Sequence, residues 1–183
     1  MHEPIIFEAT EAKAEYLESI NMLLPQLSQS AQPMTTEALS AIITSPYTHL
    51  LLLEQDGKIV GMCTLAVYYA PTGSKAWIED VVIDNSMRGK KLGRLLIEHA
   101  IESARRYSPC TLMLTSRPAR VAANALYQSA GFEQKTTNVY KLKVQKSIIR
   151  AEPKFINPNR RDCTLPPPSS LYCREAKERS RCL

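Results

Sequence analysis

Residues 49–55 and 58–69 are two apolar-rich runs separated only by Asp56-Gly57. That pair favours the positive backbone angles of a tight turn, so the two runs are expected side by side as an antiparallel hairpin. The flanking chain extends the sheet. Residues 5–9 read as a first strand. A helical stretch follows from Thr10 to about Leu24, with Ala14, Leu17 and Ile20 on one face and Pro25 as its stop. A second helix is expected over residues 36–43, capped by Thr36. Beyond the loop Ala70-Pro71-Thr72-Gly73-Ser74, residues 76–83 form another strand. A helix then opens at Arg88-Gly89-Lys90-Lys91-Leu92-Gly93 and runs to about Tyr107, with Leu95, Leu96, His99 and Ala100 near its inner face. Residues 111–115 read as a strand, residues 120–130 as a helix ended by Gly131, and residues 139–144 as a closing strand. Alternating strands and helices mean an α/β sheet of mixed direction. No internal repeat is visible.

Charge divides the chain. The net charge is +5. Residues 1–144 carry 14 basic and 14 acidic side chains, whereas residues 145–183 carry 9 and 4. The neutral part is itself polarised: residues 1–87 hold 3 basic and 11 acidic groups, residues 88–144 hold 11 and 3. An evenly basic nucleic-acid binder would not have this distribution, so a nucleic-acid partner is not expected. An acidic half beside a basic half points to a site with two kinds of ligand, one cationic and one anionic. Residues 145–183 hold five of the twelve prolines, among them Pro166-Pro167-Pro168, and no glycine. They read as a flexible basic tail behind a domain of residues 1–144.

No run reaches the roughly 18 apolar residues of a membrane span, and the N-terminus lacks a signal-peptide pattern, so a cytoplasmic protein with no membrane partner is expected. The five cysteines are scattered, with no C-x-x-C pair and no Cys/His cluster. Reduced thiols and no metal are expected. Cys63 has no neighbouring His or Lys to activate it as a nucleophile.

The most informative segment is Trp77-Ile78-Glu79-Asp80-Val81-Val82-Ile83, followed through Asp84-Asn85-Ser86-Met87 by the basic turn that ends at Arg94. A strand passes through a glycine-containing turn into a helix. The first helical turn leaves backbone N–H groups unpaired at the positive end of the dipole, where phosphate oxygens are natural partners. Arg88, Lys90, Lys91 and Arg94 add formal charge. The alternative is a solvated basic helix start. Neither G-x-G-x-x-G nor G-x-x-x-x-G-K-[ST] is present, so dinucleotide and P-loop phosphate sites are not expected.

Arg88, Lys91 and Gly93 stand at the spacing of Arg/Gln-x-x-Gly-x-Gly/Ala, and Leu126-Tyr127-Gln128-Ser129-Ala130-Gly131-Phe132 matches L-Y-x-x-x-G-F. With these two motifs about 35 residues apart, residues 5–144 resemble the GNAT superfamily of acyl-CoA-dependent N-acyltransferases. Two positions depart from its pattern. Lys91 replaces the first motif glycine, and so must hold a suitable dihedral with its ammonium turned away or toward a phosphate. Arg120 stands where an asparagine is usual, leaving Asn124 as a substitute.

The resemblance implies a mixed, mostly antiparallel sheet with helices on both faces and with strands four and five splayed for CoA. The backbones of Val81, Val82 and Ile83 would bind pantetheine like an added strand, and one N–H could donate to an oxyanion. Arg88, Gly89, Lys90, Lys91, Leu92, Gly93 and Arg94 would hold the pyrophosphate, with Asn124 and Tyr127 along the arm. Acetyl-CoA would be the co-substrate, an amine the acceptor, and the product would form by direct attack through a tetrahedral intermediate. Tyr127 is implied as the general acid; its alternative is a packing role beside Leu126. Glu79 and Asp80 are the acid–base candidates, because a primary amine arrives protonated. Alternation sends them to opposite faces unless a bulge intervenes, and Glu79, in phase with Val81, is preferred. Either could instead be a salt-bridge partner. Tyr68-Tyr69 and Asn21-Met22 flank the loops that shape the family's acceptor pocket. The acidic half mildly favours a cationic acceptor, and a homodimer is left open. A non-catalytic acyl-CoA-binding module is the alternative function, favoured by Lys91 and Arg120.

Overall fold

A computed structural model describes residues 3–144. Among them are strands β1 (Ile5–Glu8), β2 (Thr48–Gln55), β3 (Lys58–Ala70), β4 (Gly73–Ile83) and β5 (Cys110–Leu114). Four α-helices accompany them: α1 (Ala14–Leu27), α2 (Thr36–Ile43), α3 (Leu92–Ala104) and α4 (Val121–Ser129). Short 3-10 turns occupy Asn85–Met87 and Arg105–Tyr107. The sheet order is β1-β2-β3-β4-β5, antiparallel except for the parallel pair β4 and β5. The Asp56-Gly57 hairpin forms as expected, with both residues at positive φ.

Both faces of the sheet are covered, which is why β2 reads as the continuous run Leu50-Leu51-Leu52-Leu53 and does not alternate. Leu51 and Leu53 pack with Leu92, Leu96, Ile97, Ala100 and Tyr127 on the α3/α4 face. Leu50 and Leu52 pack with Ile20, Leu23 and Leu39 on the α1/α2 face. Burying each such side chain contributes about 1.5–3 kcal/mol before entropy is counted. Gly61 leaves no room for a side chain between β3 and β4: a Cβ there would lie 2.5 Å from Ile83 Cδ1 and 3.2 Å from the Val82 carbonyl.

Several expected boundaries move. Helix α1 starts at Ala14 and passes through Pro25 to Leu27. Proline's fixed φ suits a helix, and at this point in the last turn it removes a single backbone donor. Thr35, not Thr36, caps α2, its hydroxyl accepting from Ala38 N–H at 3.2 Å. Strand β4 begins at Gly73, because Ala70 pairs with Gly73 in a tight hairpin. Leu95 is 40% exposed, whereas Ile97 is fully buried on the inner face of α3.

The chain divides between Thr137 and Asn138 into two units. Residues 138–144 form no helix or strand, so the expected closing strand over 139–144 is not present. Val139, Tyr140, Leu142 and Val144 are all exposed. Period-two alternation marks a face that could be buried, but it supplies no hydrogen-bonding neighbour. The expected tail, residues 145–183, lies outside the described residues. Among the described residues no helix is long and apolar enough to cross a membrane, and no group of three or more His, Cys, Asp or Glu side chains could hold a metal ion.

Candidate active site

The site begins where β4 leaves β5. Their parallel ladder runs from Ser74 opposite Cys110 to Ile78 opposite Leu114 and stops there. Residues 79–83 therefore continue along β3 with no β5 partner. A bulge falls at the same place: Glu79 pairs with Thr64 and Val82 with Met62, so Asp80 and Val81 together face Cys63. Asp80 takes the left-handed φ of 54° that accommodates the extra residue.

The bulge changes which side chains share a face. Directly opposed residues share a face, as do residues two apart on a regular strand. Glu79 is therefore in phase with Val82, on the α1/α2 side, and not with Val81 as simple alternation predicts. Val81 and Ile83 pack against the α3/α4 core instead. Glu79 and Asp80 are exposed, and among the described residues neither has an ion-pair partner. Partial burial, and then the neighbouring Asp80 carboxylate, push the Glu79 carboxyl above its usual value.

Beyond Ile83 the chain makes the basic turn. Asp84 accepts from Ser86 N–H at 2.9 Å and from Gln26 Nε2 at 3.0 Å, and its carboxyl is held below the usual value by these bonds, Arg88 adding a smaller pull. Gly89 has φ 78°, and Lys91, the N-cap of α3, has φ 61° and ψ 8°. The required dihedral at Lys91 is thus left-handed, a region costing a residue with a Cβ about 1–2 kcal/mol. Lys90 Nζ lies 3.4 Å from Met87 Sδ, and Arg94 pairs with Glu98 at 2.7 Å. At Gly93 a Cβ would meet Leu126 and Ile83 at 3.5 and 3.7 Å, ordinary contact distances, so the start of α3 does not require glycine there.

Helix α4 brings Tyr127 to the same place. Gly131, at φ 97°, ends the helix; its N–H donates to the Gln128 carbonyl, and Phe132 N–H donates to the Tyr127 carbonyl, both at 3.0 Å. These two bonds make a Schellman closure, and the Tyr127 and Phe132 rings meet edge to face at 6.2 Å. Tyr127 is buried, and burial pushes its phenol above the ordinary value, with Arg120's positive charge pulling the other way. The phenol therefore stays protonated at neutral pH.

Together these elements line a cleft of about 1680 Å³. That exceeds the roughly 300–1,000 Å³ of pockets for compact ligands, and suits a long one. Val81, Val82, Ile83 and Tyr127 line it, as do all seven residues of the turn from Arg88 to Arg94. Glu79, Asp80 and Asn124 stand outside that lining. Asn124 Nδ2 donates to the Arg117 and Pro118 carbonyls at 3.0 and 3.4 Å, and so braces the loop before α4.

Gln26, Leu27 and Arg120 also line the cleft. Gln26 reaches Asn85 N–H through its Oε1 at 2.8 Å, and Arg120 Nη2 donates to the Leu27 carbonyl at 2.9 Å. Reading Pro25 as a stop put residues 26 and 27 in a loop, which hid their part in the site. The only sequence signal at Arg120 was its departure from an expected asparagine. Cys63 is buried beneath the bulge with its thiol pushed up to about 12 by desolvation, which removes it as a nucleophile at neutral pH.

The parting of β4 from β5, the basic helix start and the buried Tyr127 thus meet around one cleft. The acetyltransferase (GNAT) family profile matches residues 15–132. The chain belongs to this family. It is 32% identical over 84 residues to the [ribosomal protein bS18]-alanine N-acetyltransferase of Escherichia coli K12, a match covering 46% of this chain and 54% of that one. The chain thus spans just over half the length of that curated relative. A candidate acetyltransferase from Agrobacterium tumefaciens C58 superposes with TM-score 0.68 at 26% identity, covering 76% of this chain and 99% of that one. Glucosamine-6-phosphate N-acetyltransferase from Arabidopsis thaliana shares the fold with TM-score 0.65 at 21% identity, over 77% and 99% of the two chains.

Proposed function

We propose that this protein transfers the acetyl group of acetyl-CoA to a primary amine by direct attack, with no covalent enzyme intermediate. The observation that carries the reading is the single cleft lined by the unpaired β4 edge, the basic turn and Tyr127. Its chemistry fits a long thioester bearing phosphates: backbone groups for the amides of the arm, and helix N–H groups with Arg88, Lys90 and Lys91 for the anionic end.

The chain's own residues then divide the proton work. Glu79, its carboxyl raised above the usual value by partial burial and by Asp80, takes a proton from the incoming ammonium directly or through water, with Asp80 as the alternative base. A β4 backbone N–H beside the bulge donates to the oxyanion of the tetrahedral intermediate, a contribution of about 2.7–4 kcal/mol when preorganised. Tyr127 gives its proton to the departing sulfur. The scattered thiols support a reducing, cytoplasmic setting.

The acceptor is an amine that arrives as a cation, which the unpaired Glu79-Asp80 pair and the acidic residues 1–87 favour. Peptide α-amines belong in the first test because of the E. coli relative, and polyamines because of their charge. A panel of these amines with acetyl-CoA, followed by thiol release, tests the proposal: turnover with at least one amine is expected. The second reading, a non-catalytic acyl-CoA-binding module, is favoured by Lys91 and Arg120. Tight acetyl-CoA binding with no thiol release across the panel would establish it.

A further inference from the structure

We infer that Arg120 is a positioning residue for thiolate departure: anchored on Leu27, its guanidinium acts through Tyr127 on the leaving sulfur. The inference rests on the acetyl transfer proposed above and assigns a use to one of the two positions that depart from the family pattern. Arg120 is the N-cap of α4 and stands seven residues, two helical turns, before Tyr127, so the two share a helix face. Both line the cleft. Helical side chains lean toward the N-terminus, which carries the Tyr127 hydroxyl toward Arg120. The Arg120–Leu27 bond ties the start of α4 to the end of α1 and restricts where the guanidinium can go.

Two further observations favour an electrostatic role. A cation at a helix N-terminus opposes the dipole, and no side chain caps α4, so Arg120 is misplaced for helix stability and well placed for an arriving anion. Its charge is also the main influence holding the Tyr127 phenol down against burial. In the step itself the amine lone pair forms the C–N bond as the carbonyl π pair moves onto oxygen; the tetrahedral intermediate gives up a nitrogen proton to solvent, and its oxyanion re-forms the carbonyl as the C–S bond breaks with its electron pair staying on sulfur. The Tyr127 proton passes to sulfur, and solvent restores the phenol. Arg120 lowers the energy of the transient phenolate, and through it eases proton transfer to the departing sulfur.

The test compares acetyl-CoA with its selenoester analogue, whose selenolate is a weaker base and leaves with less help. Arg120→Gln is expected to lower kcat with acetyl-CoA about tenfold, a part of the roughly 10²–10⁴-fold that positioned acid catalysis supplies, and to change KM for acetyl-CoA less than about twofold. With the selenoester the kcat loss shrinks to about twofold, and Arg120→Lys restores most of the rate with both donors. In a Tyr127→Phe background Arg120→Gln adds little, because the two act as a unit. Equal losses with both donors, or a change in KM alone, overturn the inference and leave Arg120 as a brace for Leu27. Should Arg120→Gln not fold, the same donor ratio is read on Arg120→Met against wild type, an unchanged ratio with reduced kcat counting against the inference. Absence of turnover by the wild type with every amine instead sinks the acetyl-transfer reading on which this rests.

Discussion

The Tyr127 carbonyl accepts from Phe132 N–H at 3.0 Å while the two rings meet edge to face, so the residue that ends the helix closure also buttresses the ring of the proposed acid. The L-Y-x-x-x-G-F motif is therefore one mechanical unit. Gly131, whose φ of 97° no L side chain adopts easily, is its pivot. Gly131→Ala should cost about 1–2 kcal/mol by urea denaturation, although open space surrounds the position. A stability unchanged within a few tenths of a kcal/mol would mean that the closure is not strained.

Tyr127→Phe keeps the ring packing and removes only the hydroxyl. Folding and acetyl-CoA affinity should survive, while kcat falls toward the lower end of about 10²–10⁴-fold, since a thiolate leaves without full protonation. Wild-type turnover with chemistry rate-limiting would return Tyr127 to a packing role.

Glu79→Gln should reduce kcat/KM most at low pH, where the amine is charged, and recover partly as pH approaches the amine's own pKa. Stability moves the other way. An acid whose folded pKa is raised is stabilised as the protonated form, so its ionisation in the fold becomes a liability as pH rises. Gln removes that liability, and the melting temperature at neutral pH should not fall. A rate loss that is flat across pH would remove Glu79 as the base.

Glu8 tests the sheet far from this chemistry. Its carboxylate meets His49 Nδ1 at 2.5 Å and Arg106 Nη2 at 3.2 Å, and Tyr107's hydroxyl lies 2.5 Å from His49 Nε2. Burial pushes the Glu8 carboxyl up, but the bonds and charges of His49 and Arg106 outweigh it and leave the group below its usual value. The stability it contributes is therefore present above the unfolded carboxyl pKa of about 4.3 and is lost as pH falls through the lower folded value. Glu8→Gln should cost about 1–3 kcal/mol at pH 7 in chemical denaturation, by putting a neutral amide in place of the carboxylate that bonds His49 and Arg106. The gap to wild type should narrow as pH falls below about 4.3 and close once the lower folded value is passed. A gap independent of pH would point to lost packing.

Lys91 separates dihedral from charge. Lys91→Gly relaxes the left-handed N-cap and should change stability by less than about 1 kcal/mol, since relief of strain is offset by a more flexible unfolded chain. Lys91→Val, β-branched at φ 61°, should cost more than Lys91→Gly by at least about 1 kcal/mol. Equal stabilities for the two variants would show that the turn rearranges.

Much of this was legible in the sequence, for reasons that differ by element. Asp56-Gly57 fixed the central hairpin because few conformations satisfy that pair, and the basic turn before Leu92 announced itself by charge and by the lack of a nucleotide fingerprint. Pro25 misled because its φ is permitted inside a helix. The alternation of residues 139–144 misled because a pattern of faces carries no information about a neighbour. The bulge at Asp80 was out of reach: one extra residue leaves no mark on composition, yet it turned Glu79 from Val81's face to Val82's. The Arg120–Leu27 contact joins positions 93 apart, which no local pattern reports.

The bulge has a last consequence. On both sides of it the β3–β4 ladder is already in step, Thr64 with Glu79 and Met62 with Val82, so β4 carries one residue more than the hairpin requires. A chain lacking that residue would still align every downstream pair and every core contact of Val82. The sheet is thus indifferent to the residue that separates Glu79 from the cleft edge. Deleting Asp80 would remove the kink and leave the pairs on either side of it as they are.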